Sequence, residues 1–233
     1  TYTIQLIVNT ANCTDTVQQS FLVNIKPTAD FTLTPINGCP TLSGNFTNTS
    51  LNSTSYNWDF GNGNTSLQTN PSEIFTNTLT TNKLYTVSLT ANTAAGCTDT
   101  KTTTVTVFPK PTASFTLNAP AGCSPVAATF TNNSIGANSY VWNFGDASSS
   151  TSTLSVLSHT YVNASLIIQT FTPQLIVTSN NGCKDSVTQN VVVTTKPLPN
   201  FTIVGGGNCS NSLAISLTNT STNASSYVWS FGD

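Results

Sequence analysis

The sequence holds 233 residues, 37% of them hydrophobic and only 6% charged, with six Lys, no Arg, no Met and a net charge of −2. So few cations leave no basic patch for phosphates, which excludes sequence-independent nucleic-acid binding. No apolar run approaches the roughly 20 residues of a membrane helix, which excludes membrane insertion by a helix. Thr, Asn and Ser stand where Lys, Glu and Arg usually coat a surface, so contacts made by this coat depend little on salt. Thr suits strands, Asn and Ser suit turns, and no helix-period pattern is present; the chain reads as all-β.

In chain order, Tyr2-Thr3-Ile4-Gln5-Leu6 comes first, then Cys13, and Lys26-Pro27 ahead of Phe31. Cys39, Phe46-Thr47-Asn48-Thr49-Ser50 and Tyr56-x-Trp58-x-Phe60-Gly61 follow. Tyr85, Val87, Leu89 and Ala91 alternate with Thr86, Ser88, Thr90 and Asn92, which predicts a half-buried strand. Ala94-Ala95-Gly96 turns the chain before Cys97, and Thr104-Val105-Thr106-Val107 is predicted as the hairpin partner. Pro109-Lys110-Pro111 ends the unit, because two prolines remove ladder donors and stiffen a short linker. The same order then recurs: Lys110-Pro111 ahead of Phe115, Cys123, a strand over 125–131, Phe130 to Ser134, Tyr140-x-Trp142-x-Phe144-Gly145, Phe171 to Leu175 with Pro173 in the middle, and Cys183. A last partial copy has Lys196-Pro197 ahead of Phe201, Cys209, Leu217 to Ser221, and Tyr227-x-Trp229-x-Phe231-Gly232. The step is about 85 residues, too long for a solenoid repeat and suited to a small domain. The expected division is 1–27 as the last strands of a repeat, complete repeats over 28–110 and 111–197, and 198–233 as the first strands of another. A slice of a longer polypeptide is the simpler reading; complementation between copies, as in donor-strand polymers, is the other.

In each aromatic motif the alternate rings share one face. Tyr56, Trp58 and Phe60, Tyr140, Trp142 and Phe144, and Tyr227, Trp229 and Phe231 are therefore expected as core seams, since a sugar-stacking platform would need the rings exposed. Six Cys at regular steps favour disulfides and an oxidising compartment, while a single His and no Cys-x-x-Cys argue against zinc. His159 has no Ser or Cys partner in a recognised arrangement. The acids Asp30, Asp59, Glu73 and Asp99 of one repeat and Asp146 and Asp185 of the next share a position only at Asp99 and Asp185. No general acid/base pair and no calcium ligand set emerge. No catalytic residue, metal ligand or cofactor is expected.

Tyr140-Val141-Trp142-Asn143-Phe144-Gly145-Asp146, His159-Thr160-Tyr161 and Tyr85-Thr86-Val87-Ser88-Leu89-Thr90 resemble the PKD (polycystic kidney disease-like) domain, an immunoglobulin-like β-sandwich. The resemblance covers nearly the whole chain and implies tandem antiparallel sandwiches of that kind, with His159 in a structural His-Thr-Tyr motif. Gly96-Cys97-Thr98-Asp99, Gly182-Cys183-Lys184-Asp185 and Gly122-Cys123-Ser124-Pro125 are similar to embellishments of a variant in long Bacteroidetes surface and secreted proteins, which include gliding adhesins and type IX secretion cargo. Asn62 departs from the family's usual Asp, Ala147 from its usual Gly, and the first repeat has Phe75-Thr76 where the second has His159-Thr160-Tyr161. Asp15-Thr16-Val17 and Asp185-Ser186-Val187 resemble an O-glycosylation sequon of the same bacteria, which marks Thr16 and Ser186; Asp99-Thr100-Lys101 breaks it. A strand start with an Asp cap is the alternative.

In a sandwich of this family the Cys97 turn lies at the N-terminal end of its domain and Cys123, after a first strand, at the C-terminal end of its own. Two Cys of one domain, such as Cys39 and Cys97, would then sit about 30 Å or one strand length apart, against a disulfide limit near 7 Å, and Cys97 and Cys123 are worse placed if domains are strung end to end. The resemblance thus makes Cys39–Cys183 the leading pair, joining neighbouring repeats and stiffening the array. In-domain pairing such as Cys39–Cys97 and nearest-neighbour pairing such as Cys97–Cys123 stay open, and Cys13 and Cys209 have no assigned partner. The implied function is a non-enzymatic, extracellular, cell-surface segment of an adhesin or filament, with repeats as spacers. Its expected partners are neighbouring repeats, further copies in a filament, or polysaccharide and surface ligands. The alternative is an accessory, polymer-binding region of a secreted hydrolase.

Overall fold

Thr at every second position is what commits the chain to strands. Its β-branched side chain suits the outer face of a pleat, while the Val, Leu and Tyr between need cover. The computed structural model describes residues 1–205 and 215–232, and every regular element there is a β-strand. Two compact units divide the chain, Thr1–Lys110 and Pro111–Asp233.

The first unit begins with β1 (Tyr2–Asn9) and β2 (Thr14–Phe21), an antiparallel hairpin in register from Tyr2↔Phe21 to Asn9↔Thr14. Both strands are exposed on both faces. The sandwich after it is built from β3 (Phe31–Thr34), β4 (Asn37–Gly38), β5 (Leu42–Asn48), β6 (Ser55–Asp59), β7 (Thr65–Ser66), β8 (Ser72–Phe75), β9 (Lys83–Asn92) and β10 (Thr98–Val107). One sheet has the order β3-β5-β8, the other β4-β10-β9-β6-β7. Inward positions alternate as the pleat demands: Leu42 and Phe46 on β5, Trp58 on β6, Tyr85, Val87 and Leu89 on β9, and Val105 and Val107 on β10 are all buried in one cluster. The hairpin partner of β9 runs over the whole of 98–107, longer than the stretch its Thr-Val alternation marks, because its outer half is Thr-rich on both faces.

The second unit repeats this plan with β11 (Phe115–Asn118), β12 (Gly122–Cys123), β13 (Val126–Asn132), β14 (Ser139–Asn143), β15 (Ser149–Ser150) and β16 (Val156–Tyr161), then β17 (Gln169–Phe171), β18 (Gln174–Thr178), β19 (Lys184–Thr188) and β20 (Val191–Thr194). The long β9–β10 ladder is here cut into two. Pro173 accepts a bond from the Gln189 N–H at 3.1 Å but has no N–H to return, and a proline in a ladder removes a donor. The Gln189 side chain turns away to donate to the Phe115 carbonyl at 2.6 Å. As a result β15-β14-β18-β19 and β12-β20-β17 are separate ladders facing β11-β13-β16. The described remainder forms the short hairpin β21 (Phe201–Val204) and β22 (Ser216–Asn219).

The glycine that closes the aromatic motif has two reasons to be glycine. Gly61 and Gly145 lie at φ of 70° and 82°, and a Cβ there would come within 2.5 Å of the Thr86 carbonyl or 2.7 Å of the Thr172 nitrogen. A side chain at either site meets left-handed backbone and a backbone wall at once. Gly145→Ala is expected to destabilise the second sandwich by about 2 to 4 kcal/mol, from backbone strain plus overpacking. Urea unfolding followed by amide exchange in β14 and β18 reads that loss, while protection in β6 and β9 stays as it was.

Candidate functional site

The aromatic motifs are the first place to look for a site. In the first sandwich Trp58 is fully buried, edge-on to Phe31 at 5.0 Å and tilted against Phe46 at 5.2 Å, with its indole N–H donating to the Gln68 carbonyl at 2.9 Å. Trp142 in the second is equally buried against Phe115 and Phe130, but its indole N–H has no hydrogen-bond partner. Phe60 and Phe144 are buried beside them, and Tyr56 and Tyr140 are half-buried at the rim, Tyr140 donating to the Ala137 carbonyl at 3.1 Å. In these two copies the Trp and Phe rings are enclosed in the core.

The third copy differs from the expected seam. Tyr227, Trp229 and Phe231 are 53%, 39% and 69% exposed. Of this copy, the described residues form only the hairpin β21–β22 as regular structure. Phe201 still meets Trp229 edge-on at 5.3 Å. Around that pair lies an open cavity of about 470 Å³ lined by Pro197, Pro199, Phe201, Tyr227 and Trp229.

His159 sits in a tight arrangement in the second sandwich. Its Nε2 lies 2.6 Å from Asp146 Oδ2, its ring stacks on Phe144 at 4.1 Å and meets Tyr161 edge-on at 4.8 Å. Ser148 donates to the other oxygen of Asp146 and lies 3.4 Å from the same Nε2. Ser and Asp both approach one nitrogen, so there is no relay through the ring of the kind a nucleophilic serine needs. The arrangement is a strut between the turn after β14 and strand β16. Burial pushes the Asp146 carboxyl up, but the bonds from Ser148 and His159 outweigh it and hold the group below its ordinary value. Burial, with the nearby Asp146 charge, pushes the Tyr161 hydroxyl well above its usual range; that hydroxyl donates to the Phe144 carbonyl at 3.0 Å.

The first sandwich builds the same strut from other residues. Strand pairing sets Phe75 opposite Leu42 and Tyr161 opposite Val126, so Glu73, two residues before Phe75, is the counterpart of His159. Asn62 and Asn64 donate to Glu73 Oε1 at 2.9 and 2.8 Å. Acceptor and donor have exchanged sides, which one sequence register could not reveal.

Asp99 and Asp185, the acids at a common repeat position, hold the chain that enters their own sandwich. Lys26 Nζ lies 2.7 Å from Asp99 Oδ1, and the Ala29 N–H donates to Oδ2 at 2.9 Å. Hydrogen bonding to Lys26 and to the Ala29 amide, against a smaller effect of burial, keeps the Asp99 carboxyl below its usual value. In the second unit the Ala113 N–H donates to Asp185 Oδ2 at 2.8 Å. No role for these residues follows from the sequence, although their shared step beside Lys-Pro was the available signal.

Cys39 and Cys183 are disulfide-bonded, and Cys13, Cys97 and Cys123 carry thiols. Cys209 lies outside the described residues. Cys13, Cys97 and Cys183 sit in the same turn, each with its N–H on a hydroxyl, Thr10 at 3.1 Å, Thr93 at 3.1 Å and Ser179 at 3.2 Å. Thr16 on β2 and Ser186 on β19 are exposed. Among the described residues no group of three His, Cys, Asp or Glu side chains is placed to hold a metal ion. No helix there is long and apolar enough to cross a membrane.

A sequence model of the PKD domain matches residues 24–107 and again residues 109–195. The chain belongs to the PKD domain family. Among solved structures, the PKD1 domain of Vibrio anguillarum Epp is similar at 36% identity, over 37% of this chain and 99% of that one, with a TM-score of 0.30. The PKD1 domain of the Vibrio cholerae metalloprotease PrtV is 35% identical over 36% of this chain and 99% of that one, also at a TM-score of 0.30. The fibronectin(III)-like modules of Clostridium thermocellum CbhA match at 14% identity over 73% and 94%, with a TM-score of 0.35. No curated protein matches the chain. The two PKD modules are thus tandem immunoglobulin-like β-sandwiches, with the aromatic motif as the core of each and the struts and clamps at its edges.

The sign of the pH effect at Asp146 follows from its shift. A carboxyl held below its unfolded value of about 3.9 stabilises the fold above that pH, and the contribution vanishes as pH falls through the folded value. Asp146→Asn is expected to flatten the acid limb of the second module's stability between about pH 5 and pH 2. Thermal melts across that range, with amide exchange in β14 and β16 as the local probe, measure it; an unchanged acid limb contradicts the strut.

Proposed function

We propose that the chain is a non-catalytic structural segment of a long extracellular surface protein, an adhesin or filament, in which PKD modules act as stiff spacers. One observation carries the reading: in both complete modules every ring of the Tyr-x-Trp-x-Phe motif is taken up by the core or its rim, which leaves faces of Thr, Asn and Ser with few charges. Such faces carry few charges and offer no charged patch to a partner. The same modules fit an origin among Bacteroidetes surface proteins, including type IX secretion cargo, through the repeated Gly-Cys-x-Asp step. Their partners in this reading are the flanking repeats of the same polypeptide, and Thr16 and Ser186 are exposed positions suited to glycan attachment. On chitin, cellulose and collagen, the chain is expected to be retained no better than a non-binding control protein. Clear retention on one of them contradicts a pure spacer.

A second reading has its own support. The PKD1 domain to which the chain is 35% identical belongs to a metalloprotease, which favours an accessory region beside a secreted hydrolase. Retention on an insoluble polymer is the result that selects it.

We propose further that Cys39 and Cys183, the two disulfide-bonded cysteines among the described residues, are each other's partner. Closing so long a loop contributes about 3 to 5 kcal/mol on the loop-entropy model. Unreduced peptide mapping is expected to recover a Cys39–Cys183 peptide pair and to leave Cys97 and Cys123 alkylated. A Cys97–Cys123 pair overturns the assignment.

A further inference from the structure

A chain with eight acids and six lysines uses two of those acids in the same way. Asp99 and Asp185 stand at one repeat position, near the start of β10 and of β19. Each receives a backbone N–H from the residue three places beyond the Lys of its own Lys-Pro step, Ala29 at 2.9 Å and Ala113 at 2.8 Å. Asp99 also takes the Lys26 ammonium at 2.7 Å on its other oxygen. The opposite flank of the same short segment is bridged to the sandwich by paired backbone bonds. Thr28 and Leu51 exchange N–H···O bonds at 3.0 and 2.9 Å, and Thr112 and Ile135 do so at 2.9 and 3.0 Å. Between them Pro27 and Pro111 have their φ fixed by the ring. In the first module, four successive residues, Lys26 to Ala29, are therefore each restrained by a bond or a ring.

We infer that the Gly-Cys-x-Asp carboxylate is a docking site for the Lys-Pro linker, fastening it to the hairpin of the module it enters so that the linker belongs to that module and does not act as a free tether. The inference deepens the spacer reading and rests on it for its purpose, although its chemistry does not. Only a carboxylate presents two full acceptors to donors arriving from different directions, here an ammonium and a backbone amide. Lys26 is 69% exposed, so its charge pairing is screened by water and salt, and the directional bond to Ala29 carries the positional part. A plain strand-start cap would need only an N–H of its own strand. Asp15 has that kind of contact, with the Thr16 N–H at 2.8 Å, whereas Asp99 adds the two linker donors to the same bond from Thr100.

The test uses the whole 233-residue chain with Asp99→Ala, Asp185→Ala, Asp99→Asn and Lys26→Ala, read by amide exchange and by backbone relaxation of residues 22–28 and 108–112. Asp99→Ala is expected to speed Ala29 exchange about tenfold or more and to loosen Lys26 to Thr28, while β9 and β10 keep their protection. Asp185→Ala does the same at Ala113 and leaves Ala29 alone. Asp99→Asn and Lys26→Ala give smaller, salt-insensitive changes, because one oxygen still accepts from Ala29. Unchanged Ala29 exchange in Asp99→Ala overturns the inference. Loss of protection spread through β9 and β10 also overturns it, since that is the behaviour of a cap. Retention of the chain on a polymer sinks the pure spacer reading without touching this result, so the two failures are distinguishable.

Discussion

The modules are organised around one aromatic contact, a near-perpendicular pair between a phenylalanine of the first sandwich strand and the motif tryptophan. Phe31–Trp58, Phe115–Trp142 and Phe201–Trp229 repeat it at 5.0, 5.2 and 5.3 Å with planes 71°, 68° and 81° apart. An edge-to-face pair satisfies the ring quadrupoles and ties the two sheets at their midpoint. Phe46 and Phe60 then pack around Trp58, Leu89 lies directly opposite it on β9, and Gly61, immediately after Phe60, lets the chain turn against the Thr86 backbone.

The scarcity of charge gains a meaning from where the charges are. Asp59 caps the Gly61 N–H, Glu73 binds two asparagines, Asp146 binds His159 and Ser148, and Asp99 and Asp185 hold lead-in segments. These carboxylates are internal ties between a turn and a strand, not a surface coat. A surface with so few free charges is without strong fields.

The repeat, the strand alternation and the buried Trp58 and Trp142 could be read from residue order, because period-two patterning and a recurring aromatic step are local signals. The third motif, within the stretch 198–233 read as the first strands of a repeat, is exposed. Pro173 was visible within its strand, but its effect, the division of a ten-residue ladder into two short ones, depends on which residue stands across from it. The Glu73–His159 correspondence was hidden because the two struts exchange donor and acceptor and because the loops before them differ in length. The Asp clamp was hidden for another reason: its partners are a backbone amide and a linker lysine roughly 70 positions away, and composition carries no trace of a backbone donor.

The cut at Pro173 sets how the second sandwich meets a pull along the chain. In the first module β10 is zipped to β9 through ten consecutive pairs, Thr98↔Asn92 to Val107↔Lys83. In the second, β20 is held to β17 by three pairs and to β12 by two, and is separated from β19 at Gln189 and Asn190. Tension applied at Thr194 meets those few pairs together with the Asn163 amide on the Val193 carbonyl and the Thr194 hydroxyl on the Gly122 carbonyl. A pull that parts those pairs therefore also uncovers Val191 and Val193, which share the buried cluster of Trp142, so the proline shortens the ladder without freeing the strand from the core.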